Sequence, residues 1–511
     1  MTTSMKPGLR IRLLLAMLPL MLAATSCLAR EVSITILYTG DTHGHIIPFS
    51  YPDVKTPGQF YSDMKYITDI GGIARRATLA SRIRKEVHDD MLFVDAGDVM
   101  DGTPFSVEYS GSADILAMNA AGYDIMTVGN HEFNTSKAIF TRNCALPTFP
   151  VVCANVVDRS TGKLALPANK IFDVDGVKIA VFGLTIPSPT YPAAKEGYDY
   201  LDPIATAKQQ AADLRKKADI VIALTHLGIE SDKKLADAVP DIDVIIGGHS
   251  HTRIPVPIII KHLNDSRASG IGGAIVVHDY QWAGELGRLD LKVDGERGHF
   301  ALESYKGTLI PVTSDIPEDP VTAKVVDRFY APIKSKYEAK LGTATEAFLN
   351  NDKGDNPIMN LVCDGFREAA HTDLAFNNYG GTRADILKGS VIMWDLASVL
   401  PFDNKLFEFK VTGKNLKALL ARIRPGVSGA RYKVENRTLI EATIAGKPID
   451  DDATYTGITT DYLLNIMTRY VTDVKPSKVA YRDSVADYIK SKGTISPALD
   501  GRREVNTSSF E

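Results

Sequence analysis

The chain has 511 residues, of which 44% are hydrophobic and 23% are charged, a composition that excludes a disordered chain or a polytopic membrane protein and is typical of a packed globular one. Its length exceeds the roughly 250–300 residues that one hydrophobic core supports, so we expect two domains. The 58 lysines and arginines are outnumbered by 62 aspartates and glutamates, giving a net charge of −4, which disfavours sequence-independent binding of a nucleic-acid polymer.

Residues 1–29 have the pattern of a secretory signal peptide. Basic residues precede the apolar run 13–24, which is shorter than the roughly 20 residues that a membrane-spanning helix needs. Two cleavage sites compete: residues 24–27, Ala-Thr-Ser-Cys, resemble a bacterial lipobox, and residues 27–29, Cys-Leu-Ala, fit an ordinary small-residue site. We therefore predict an exported protein, periplasmic or on the outer surface, that is either released by cleavage or lipid-anchored at Cys27.

Short apolar runs alternate with stretches of helical spacing from residue 32 onward. The runs are residues 34–38, 91–94, 125–128, 179–182, 220–224 and 244–246. Continuous apolar runs are typical of strands covered on both faces. Ala207, Ala211 and Leu214 recur at helical spacing between two of these runs, which predicts a helix there. The alternation predicts a layered α/β fold.

An amphipathic stripe follows this region, with apolar residues at every fourth position. Its members are Val321, Val325, Phe329, Ile333, Tyr337 and Leu341. Gly342 is suited to end a helix, and Pro332 is expected to kink it. We predict a connector helix within residues 315–344, between an N-terminal domain of residues 31–314 and a C-terminal domain of residues 345–511.

Polar side chains lie at the ends of the predicted strands, on the edge where α/β sheets place ligands. In chain order they are Asp41, His43, Asp98, Asn130, His131, His226, His249 and His251. Two carboxylates, one amide and four of the histidines form a mixed nitrogen and oxygen ligand set, which suits Mn, Zn, Co or Ni better than Ca or Mg. Seven ligands are too many for one tetrahedral ion. A pair of ions about 3.5–4 Å apart, bridged by one carboxylate, would use them all.

These segments resemble the five motifs of the calcineurin-like metallophosphoesterases. The matching stretches are Asp41-x-His43, Gly97-Asp98, Gly129-Asn130-His131-Glu132, His226 and Gly248-His249-Ser250-His251. Residues 378–386 and 400–404 resemble the Asn-Gly-Gly-Gly-Ile-Arg and Pro-Phe motifs of the 5′-nucleotidase C-terminal domain. The chain is thus similar to the 5′-nucleotidase and UDP-sugar hydrolase family. The resemblance implies a four-layer αββα N-terminal domain, a connector helix and a C-terminal α/β substrate-binding domain.

The resemblance also divides the metal ligands between two divalent ions. The implied ligands of the first ion are Asp41, His43, Asp98 and His251, and those of the second are Asp98, Asn130, His226 and His249. Asp98 would bridge the two ions. A hydroxide shared by the ions would then attack phosphorus.

His131 matches the catalytic histidine of the family, which stabilises the charged transition state. The family commonly has an aspartate three residues later to orient that ring, and here the position is Asn134. Asparagine can hold the ring but supplies no charge. We therefore expect both residues at the catalytic centre, with a lowered rate or an altered pH optimum.

The resemblance implies substrate contacts in the C-terminal domain. These are Asn378, Gly380, Gly381, Arg383, Phe402 and Tyr470. Arginine offers paired donors for phosphate oxygens, and a phenyl ring can stack on a nucleobase. The usual glycine-rich aromatic loop is absent after residue 463, so Tyr470 is the residue expected to supply the second face of the base clamp.

The predicted activity is hydrolysis of nucleoside 5′-monophosphates to nucleoside and phosphate. The same chemistry leaves a 2′,3′-cyclic nucleotide phosphodiesterase or a UDP-sugar hydrolase as alternatives. A nucleotide-binding surface protein with impaired turnover is the alternative from another class, and Asn134 is the feature in its favour. A complete set of metal ligands counts against it, because unused buried polar groups carry a desolvation cost.

Overall fold

The computed structural model of the chain describes residues 1–2, 30–52, 66–262, 270–296, 298–351 and 354–506. The predicted signal peptide, including Cys27, lies outside the described residues except for its first two positions. In the part of the chain that the structure describes, no helix has both the length and the apolar character needed to cross a membrane.

Mixed α/β structure fills the N-terminal half. Its strands are β1 (Arg30–Thr39), β2 (Pro48–Pro52), β3 (Tyr66–Gly71), β4 (Met91–Asp95), β5 (Ile125–Thr127), β6 (Val151–Val152), β7 (Val156–Asp158), β8 (Lys163–Leu164), β9 (Asn169–Val174), β10 (Val177–Thr185), β11 (Tyr198–Tyr200), β12 (Ile220–His226), β13 (Val244–Gly247), β14 (Ile258–Lys261), β15 (Gly273–Val277), β16 (Glu285–Glu296) and β17 (His299–Pro311). Its α-helices are α1 (Ile73–Glu86), α2 (Pro104–Tyr109), α3 (Ser112–Ala121), α4 (Lys137–Ala145), α5 (Pro192–Gly197), α6 (Pro203–Leu214) and α7 (Ile229–Ala238), and His131–Phe133 form a 3-10 turn.

Two six-stranded sheets face each other in this half, with strand orders β17-β16-β1-β4-β5-β6 and β14-β15-β13-β12-β10-β9. A core of aliphatic side chains such as Ile36 and Ile222 fills the space between them. Helices α1 and α3 cover the outer face of the first sheet, and α6 and α7 cover the outer face of the second. This arrangement confirms the predicted αββα architecture.

The alternation of side chains along each strand explains the apolar runs in the central strands of these sheets. Leu37 faces the helix-covered core, whereas its neighbours Ile36 and Tyr38 face the core between the sheets. Because successive side chains point to opposite faces, a strand buried on both faces needs an unbroken apolar run.

The connector helix is shorter than its sequence pattern predicts. Helix α8 spans Pro320–Tyr337 and continues through Pro332, and its first turn is capped by the Asp319 side chain, which accepts a hydrogen bond from the Thr322 amide at 2.8 Å. Lys340–Ala344 instead form strand β18. Leu341 therefore belongs to the core of the C-terminal half. The hydrogen bonds between β18 and its neighbouring strands favour a strand at this position over continuation of the amphipathic helix.

The C-terminal half is also α/β, as predicted. Its helices after α8 are α9 (Pro357–Ala370), α10 (Met393–Val399), α11 (Gly413–Ile423), α12 (Asp461–Met467) and α13 (Tyr481–Lys492), with a 3-10 turn at Tyr379–Gly381. Its strands after β18 are β19 (Leu374–Asn377), β20 (Gly389–Ile392), β21 (Leu406–Thr412), β22 (Gly426–Ser428), β23 (Ala430–Glu435), β24 (Thr438–Ile444), β25 (Lys447–Pro448), β26 (Thr454–Thr460), β27 (Thr472–Pro476), β28 (Thr494–Ile495) and β29 (Arg503–Asn506). The central sheet has the order β22-β19-β26-β21-β27, with α9 and α13 packed on one face and α11 and α12 on the other.

Candidate active site

The predicted metal ligands lie in tight loops at the carboxyl ends of parallel strands. Five of the seven have positive φ angles: Asp41 at 51°, His43 at 46°, Asp98 at 56°, His249 at 77° and His251 at 47°. Non-glycine residues rarely adopt this conformation, and such strain persists where the surrounding structure imposes it, often at functional sites. The loops therefore hold these side chains in a fixed arrangement.

Glycines allow two of these loops to touch. A Cβ atom on Gly97 would lie 2.4 Å from the backbone nitrogen of Gly129, and one on Gly129 would lie 2.1 Å from Oδ1 of Asp98. Glu132 joins the same two loops, because its buried carboxylate accepts hydrogen bonds from the amides of Asp98 at 3.0 Å, Val99 at 2.9 Å and Gly129 at 2.6 Å. The loops that carry Asp98 and Asn130 are thus one rigid unit.

Three overlapping groups of side chains could each hold a metal ion, with ligand atoms within 4.8 Å of one another. The groups are Asp41, His43 and His251; His43, Asp98 and His131; and Asp98, His226 and His249. The first group contains three of the four ligands predicted for one ion, and the third contains three of the four predicted for the other.

Asp98 lies at the centre of the cluster. Its Oδ1 atom accepts a hydrogen bond from the His131 amide at 2.7 Å. Its Oδ2 atom lies 2.9 Å from Nε2 of His226 and 3.8 Å from Nε2 of His43. One oxygen is thereby held in place, and the other faces ligands of both predicted ions.

Backbone carbonyl groups set the tautomers of two buried histidines. Nδ1 of His43 lies 3.0 Å from the carbonyl oxygen of Met100, and Nδ1 of His226 lies 2.8 Å from that of Ala96. Because a carbonyl oxygen only accepts hydrogen bonds, each Nδ1 carries a hydrogen, and each Nε2 is the atom that faces the cluster. This is how ligating histidines are commonly oriented.

The pKa values fit a centre that binds cations. Burial, together with the nearby His131, holds the pKa of His43 well below its usual range. Burial also lowers the pKa of His249 to about 4 and that of His251 to about 3, so these imidazoles are neutral and able to ligate. Burial opposes protonation of His226, but the Asp98 carboxylate outweighs it and raises the pKa of His226 to about 10. The same negative field favours a divalent ion.

The buried Asn130 amide supports the same conclusion. Its Oδ1 atom has no hydrogen-bond partner among the described residues, whereas its Nδ2 donates to the Tyr191 hydroxyl at 3.1 Å. An unpaired buried acceptor on the residue that precedes His131 is suited to a metal ion. The donor set therefore fits the divalent metal ions that the fold implies.

His131 lies beside this cluster with its ring held by a carboxylate. Nδ1 of His131 lies 3.1 Å from Oδ2 of Asp101, and Nδ2 of Asn134 donates to the same oxygen at 2.8 Å. Nε2 of His131 lies 3.9 Å from Oδ2 of Asp98. Asn134 thus reaches His131 through Asp101, a residue that the sequence patterns did not single out.

Two predicted substrate residues of the C-terminal half approach the cluster. The Phe402 ring lies over the His131 ring, with centroids 6.0 Å apart and planes inclined by 13°. The positive charge of Arg383 adds to burial in lowering the pKa of His251, and its guanidinium forms no ion pair with another described residue. Arg482 supports the Phe402 loop, since its Nε donates to the Leu400 carbonyl at 2.6 Å and its Nη2 donates to the Phe402 carbonyl.

The remaining predicted substrate residues differ in their placement. Asn378 precedes the 3-10 turn, and its Oδ1 is buried without a partner among the described residues. Gly380 is exposed and Gly381 is buried in that turn. Tyr470 packs against the core on the α11 and α12 face of the sheet. Within the described residues, Tyr470 has no ring contact with Phe402, so the structure does not bring these two rings together.

Sequence reasoning missed Asp101, Tyr191 and Arg482 at this site. Asp101 follows Asp98 by three residues, and Tyr191 follows the carboxyl end of β10, so position after a strand is a signal that could have suggested both. Arg482 lies in α13, where no such signal exists.

Comparison with known proteins identifies the family to which the chain is related. Residues 34–253 match the calcineurin-like phosphoesterase family model, and residues 340–472 match the model of the 5′-nucleotidase C-terminal domain. The trifunctional nucleotide phosphoesterase YfkN of Bacillus subtilis is 29% identical over 432 residues, which span 76% of this chain but 27% of that protein. A 5′-nucleotidase of Vibrio vulnificus is 28% identical over 486 residues, which span 83% of each chain.

A solved structure agrees with these matches over most of the chain. The 5′-nucleotidase precursor from Thermus thermophilus superposes with a TM-score of 0.80 at 26% identity, covering 94% of this chain and all of that one. Both family models, the loops that carry the metal ligands and the shared fold point to one conclusion. The chain belongs to the 5′-nucleotidase family, in which a calcineurin-like phosphoesterase domain is joined to a 5′-nucleotidase C-terminal domain, and it is a metal-dependent phosphoric ester hydrolase.

Proposed function

We propose that the chain hydrolyses nucleoside 5′-monophosphates to nucleoside and phosphate outside the cytoplasm. The observation that carries this proposal is the approach of Phe402, from the C-terminal half, to His131 beside the metal ligands, at a ring-centroid distance of 6.0 Å. An aromatic ring and an arginine directed at a phosphoesterase centre are the groups that a nucleotide requires, one for the base and one for the phosphate. Similarity to proteins named nucleotide phosphoesterase and 5′-nucleotidase supports the same substrate class.

Two divalent transition-metal ions are the cofactors in this proposal, drawn from Mn, Zn, Co and Ni. One ion would be held by Asp41, His43, Asp98 and His251, and the other by Asp98, Asn130, His226 and His249. When bound, such ions act as Lewis acids that activate water and neutralise charge on phosphate oxygens.

The residues of the chain then orient the substrate. Arg383 binds phosphate oxygens through paired N–H donors, and Phe402 stacks on the base. Nε2 of His131 donates a hydrogen bond to the oxygen on which negative charge develops. A water oxygen forms the new bond to phosphorus, and the bond from phosphorus to the 5′ oxygen breaks. The departing nucleoside oxygen takes its proton from Nε2 of His131, which is replaced by one proton of the attacking water, and the other water proton stays on the phosphate.

A substrate panel tests this proposal. Turnover by the purified chain with added Mn²⁺ is compared for AMP, UDP-glucose, 2′,3′-cyclic AMP and a sugar phosphate. Substrate loss and product formation are followed by chromatography, because the first hydrolysis of UDP-glucose or of the cyclic nucleotide releases no inorganic phosphate. We expect the highest kcat/KM for AMP. A higher value for UDP-glucose or for the cyclic nucleotide would replace the proposed activity with that one, and no turnover of any substrate in either Mn²⁺ or Co²⁺ would overturn it. His226→Ala serves as the control for contaminating phosphatases, because it should abolish all turnover.

A further inference from the structure

Buried Asp101 and half-buried Asn134 form a hydrogen-bonded pair behind the His131 ring. Asp101 is 7% exposed and His131 is 5% exposed, so water has little access to the contacts between them. Oδ2 of Asp101 receives two hydrogen bonds, one from Nδ1 of His131 at 3.1 Å and one from Nδ2 of Asn134 at 2.8 Å. A single carboxylate oxygen thus connects the histidine to the asparagine.

The chemistry of these groups fixes the orientation of the histidine. A carboxylate accepts hydrogen bonds, so Nδ1 of His131 must carry a hydrogen, whether or not Nε2 carries one as well. Nε2 is then the atom that faces the metal ligands, 3.9 Å from Oδ2 of Asp98. Asn134 donates a hydrogen bond to Asp101 through its Nδ2 atom. That nitrogen is a donor only, so it cannot take the place of Asp101 as the acceptor for Nδ1 of His131.

The loop around Asp101 is rigid. Asp101 has a φ angle of 70°, and its amide donates to Oγ of Ser106 at 2.8 Å. A Cβ atom on the next residue, Gly102, would lie 2.2 Å from the carbonyl oxygen of His43. The carboxylate is therefore held by a strained loop packed against a metal-ligand loop, a type of geometry found where function imposes it.

We propose that Asp101 is the positioning residue of His131, and that Asn134 positions Asp101. The resemblance predicts a carboxylate at residue 134, but residue 134 is an asparagine. Asp101 supplies the carboxylate that contacts His131, and the Asn134 amide contacts Asp101. The inference rests on the proposed catalytic role of His131. It also accounts for Asn134 in an active phosphoesterase, since the centre keeps one negative charge behind the ring.

Single substitutions should each impair turnover. Asp101→Asn removes the charge behind His131, and Asn134→Asp places two carboxylates within hydrogen-bond distance, where they repel each other. We expect kcat for AMP to fall about 10–100-fold in each variant, the range typical of lost partners behind active-site histidines. KM and the content of both metal ions should change little.

The double variant Asp101→Asn/Asn134→Asp is the decisive test. It restores one carboxylate and one amide to the pair, with their positions exchanged. We expect its kcat to exceed that of either single variant by about tenfold, a sign of coupling that independent structural damage does not produce. A double variant that is as impaired as the product of the two single effects overturns the proposal.

The choice of leaving group gives a second readout. p-Nitrophenolate departs without needing a proton, so Asp101→Asn should reduce kcat less with p-nitrophenyl phosphate than with AMP. Asp219→Asn is the matched control, because Asp219 is buried and accepts the amides of Lys178 at 2.8 Å and Phe300 at 3.0 Å, within the same half of the chain. It should retain the turnover of the unmodified chain.

Two further results separate this inference from the proposed function. If His131→Ala abolishes turnover but folded, metal-loaded Asp101→Asn is fully active, the positioning role is wrong and the role of His131 stands. If His131→Ala is itself active, the catalytic role proposed for His131 is wrong. Should Asp101→Asn fail to fold, NMR of ¹⁵N-histidine in the unmodified chain decides the matter: a hydrogen on Nδ1 of His131 supports the proposal, and a hydrogen only on Nε2 overturns it.

Discussion

At the scale of single residues, Asp98 combines three properties. It is 2% exposed, it takes part in two of the three ligand groups, and one of its oxygens is fixed by the His131 amide. The pKa of its carboxyl is held well below the usual range, because burial is outweighed by His226 and His131. A carboxylate that stays ionised between two sets of ligands is suited to bridge two cations.

Asp98→Asn should therefore lose activity and metal together. Substitution of residues behind metal ligands commonly costs 10–100-fold, so loss of a bridging ligand should cost at least about 100-fold in kcat/KM. Turnover of AMP and metal content by mass spectrometry are measured on the same sample, with Asp219→Asn as the control. A variant with two bound ions and normal turnover would show that Asp98 does not bridge them.

The residue scale also shows what a sequence can reveal about this site. The clustering of the side chains from Asp41 to His251 could be predicted because each lies at or just after the end of an apolar run, and the carboxyl ends of parallel strands meet at one edge. The position of Asp101 after a strand could have suggested that it lies near the site. Its contact with His131 could not be predicted, because that contact depends on a left-handed backbone and joins residues 30 positions apart. Tyr470 was predicted to form the second face of the base clamp from its position in the sequence alone. Its packing against a core cluster could not be predicted from that position.

At the scale of elements, α3 buries a carboxyl group that no catalytic role explains. Asp114 lies in its first turn, is 1% exposed, and has no hydrogen-bond partner from another described residue on either oxygen. Burial raises the pKa of Asp114 to about 8. The folded chain thus holds this group protonated at neutral pH, whereas the unfolded chain ionises it near pH 4.

The sign of the resulting pH dependence follows from linkage. A raised pKa in the folded state stabilises the fold fully below about pH 4, and this contribution is lost as the pH rises toward 8. Asp114→Asn removes the ionisable group, so the variant should gain stability over the unmodified chain as the pH rises. We expect the difference in Tm between the two metal-free proteins to be larger at pH 9 than at pH 5 by at least about 2–4 °C. An equal difference at both pH values would mean that Asp114 is not protonated in the fold.

Some helices and strands could be predicted from the sequence pattern, and others could not. Strands buried on both faces were predictable, since few other structures need unbroken apolar runs. The end of α8 was not, because Leu341 satisfies both a four-residue helical repeat and burial within a strand. Pairing of β18 with β20 and β28 decides between them, and a strand pairing with residues about 50 and 150 positions later leaves no trace in local spacing.

At the scale of the whole molecule, α8 and α10 contact helix α2 of the N-terminal half through polar and aromatic side chains. The Tyr337 hydroxyl donates to Glu108 of α2 at 2.7 Å, and Trp394 of α10 packs on Phe105, with ring centroids 5.5 Å apart. The Phe402 ring of the C-terminal half lies over the His131 ring of the N-terminal half. The proposed substrate site is therefore shared between the halves.

Export is a prediction at this scale as well. The signal-peptide pattern predicts that the mature chain begins at Cys27, carrying a lipid, or near Arg30 without one. Intact-mass measurement on protein from its native host distinguishes the two. A chain that retains Met1 would contradict export.

Division of labour between the halves is the central claim, and the ratio of kcat/KM for AMP to kcat/KM for p-nitrophenyl phosphate in Phe402→Ala tests it most directly. Loss of base stacking costs about 1–3 kcal/mol, or roughly one to two powers of ten in kcat/KM. The kcat/KM for AMP should fall, because AMP has a base, and the kcat/KM for p-nitrophenyl phosphate should not.

Phe407→Ala is the matched control for that measurement, because Phe407 is a half-buried phenylalanine packed against the α11 and α12 face of the same half. We expect the ratio to fall about 10–100-fold in Phe402→Ala and to stay unchanged in Phe407→Ala, with both metal ions retained. Equal losses for the two substrates in a folded Phe402→Ala protein would contradict a substrate site shared between the halves.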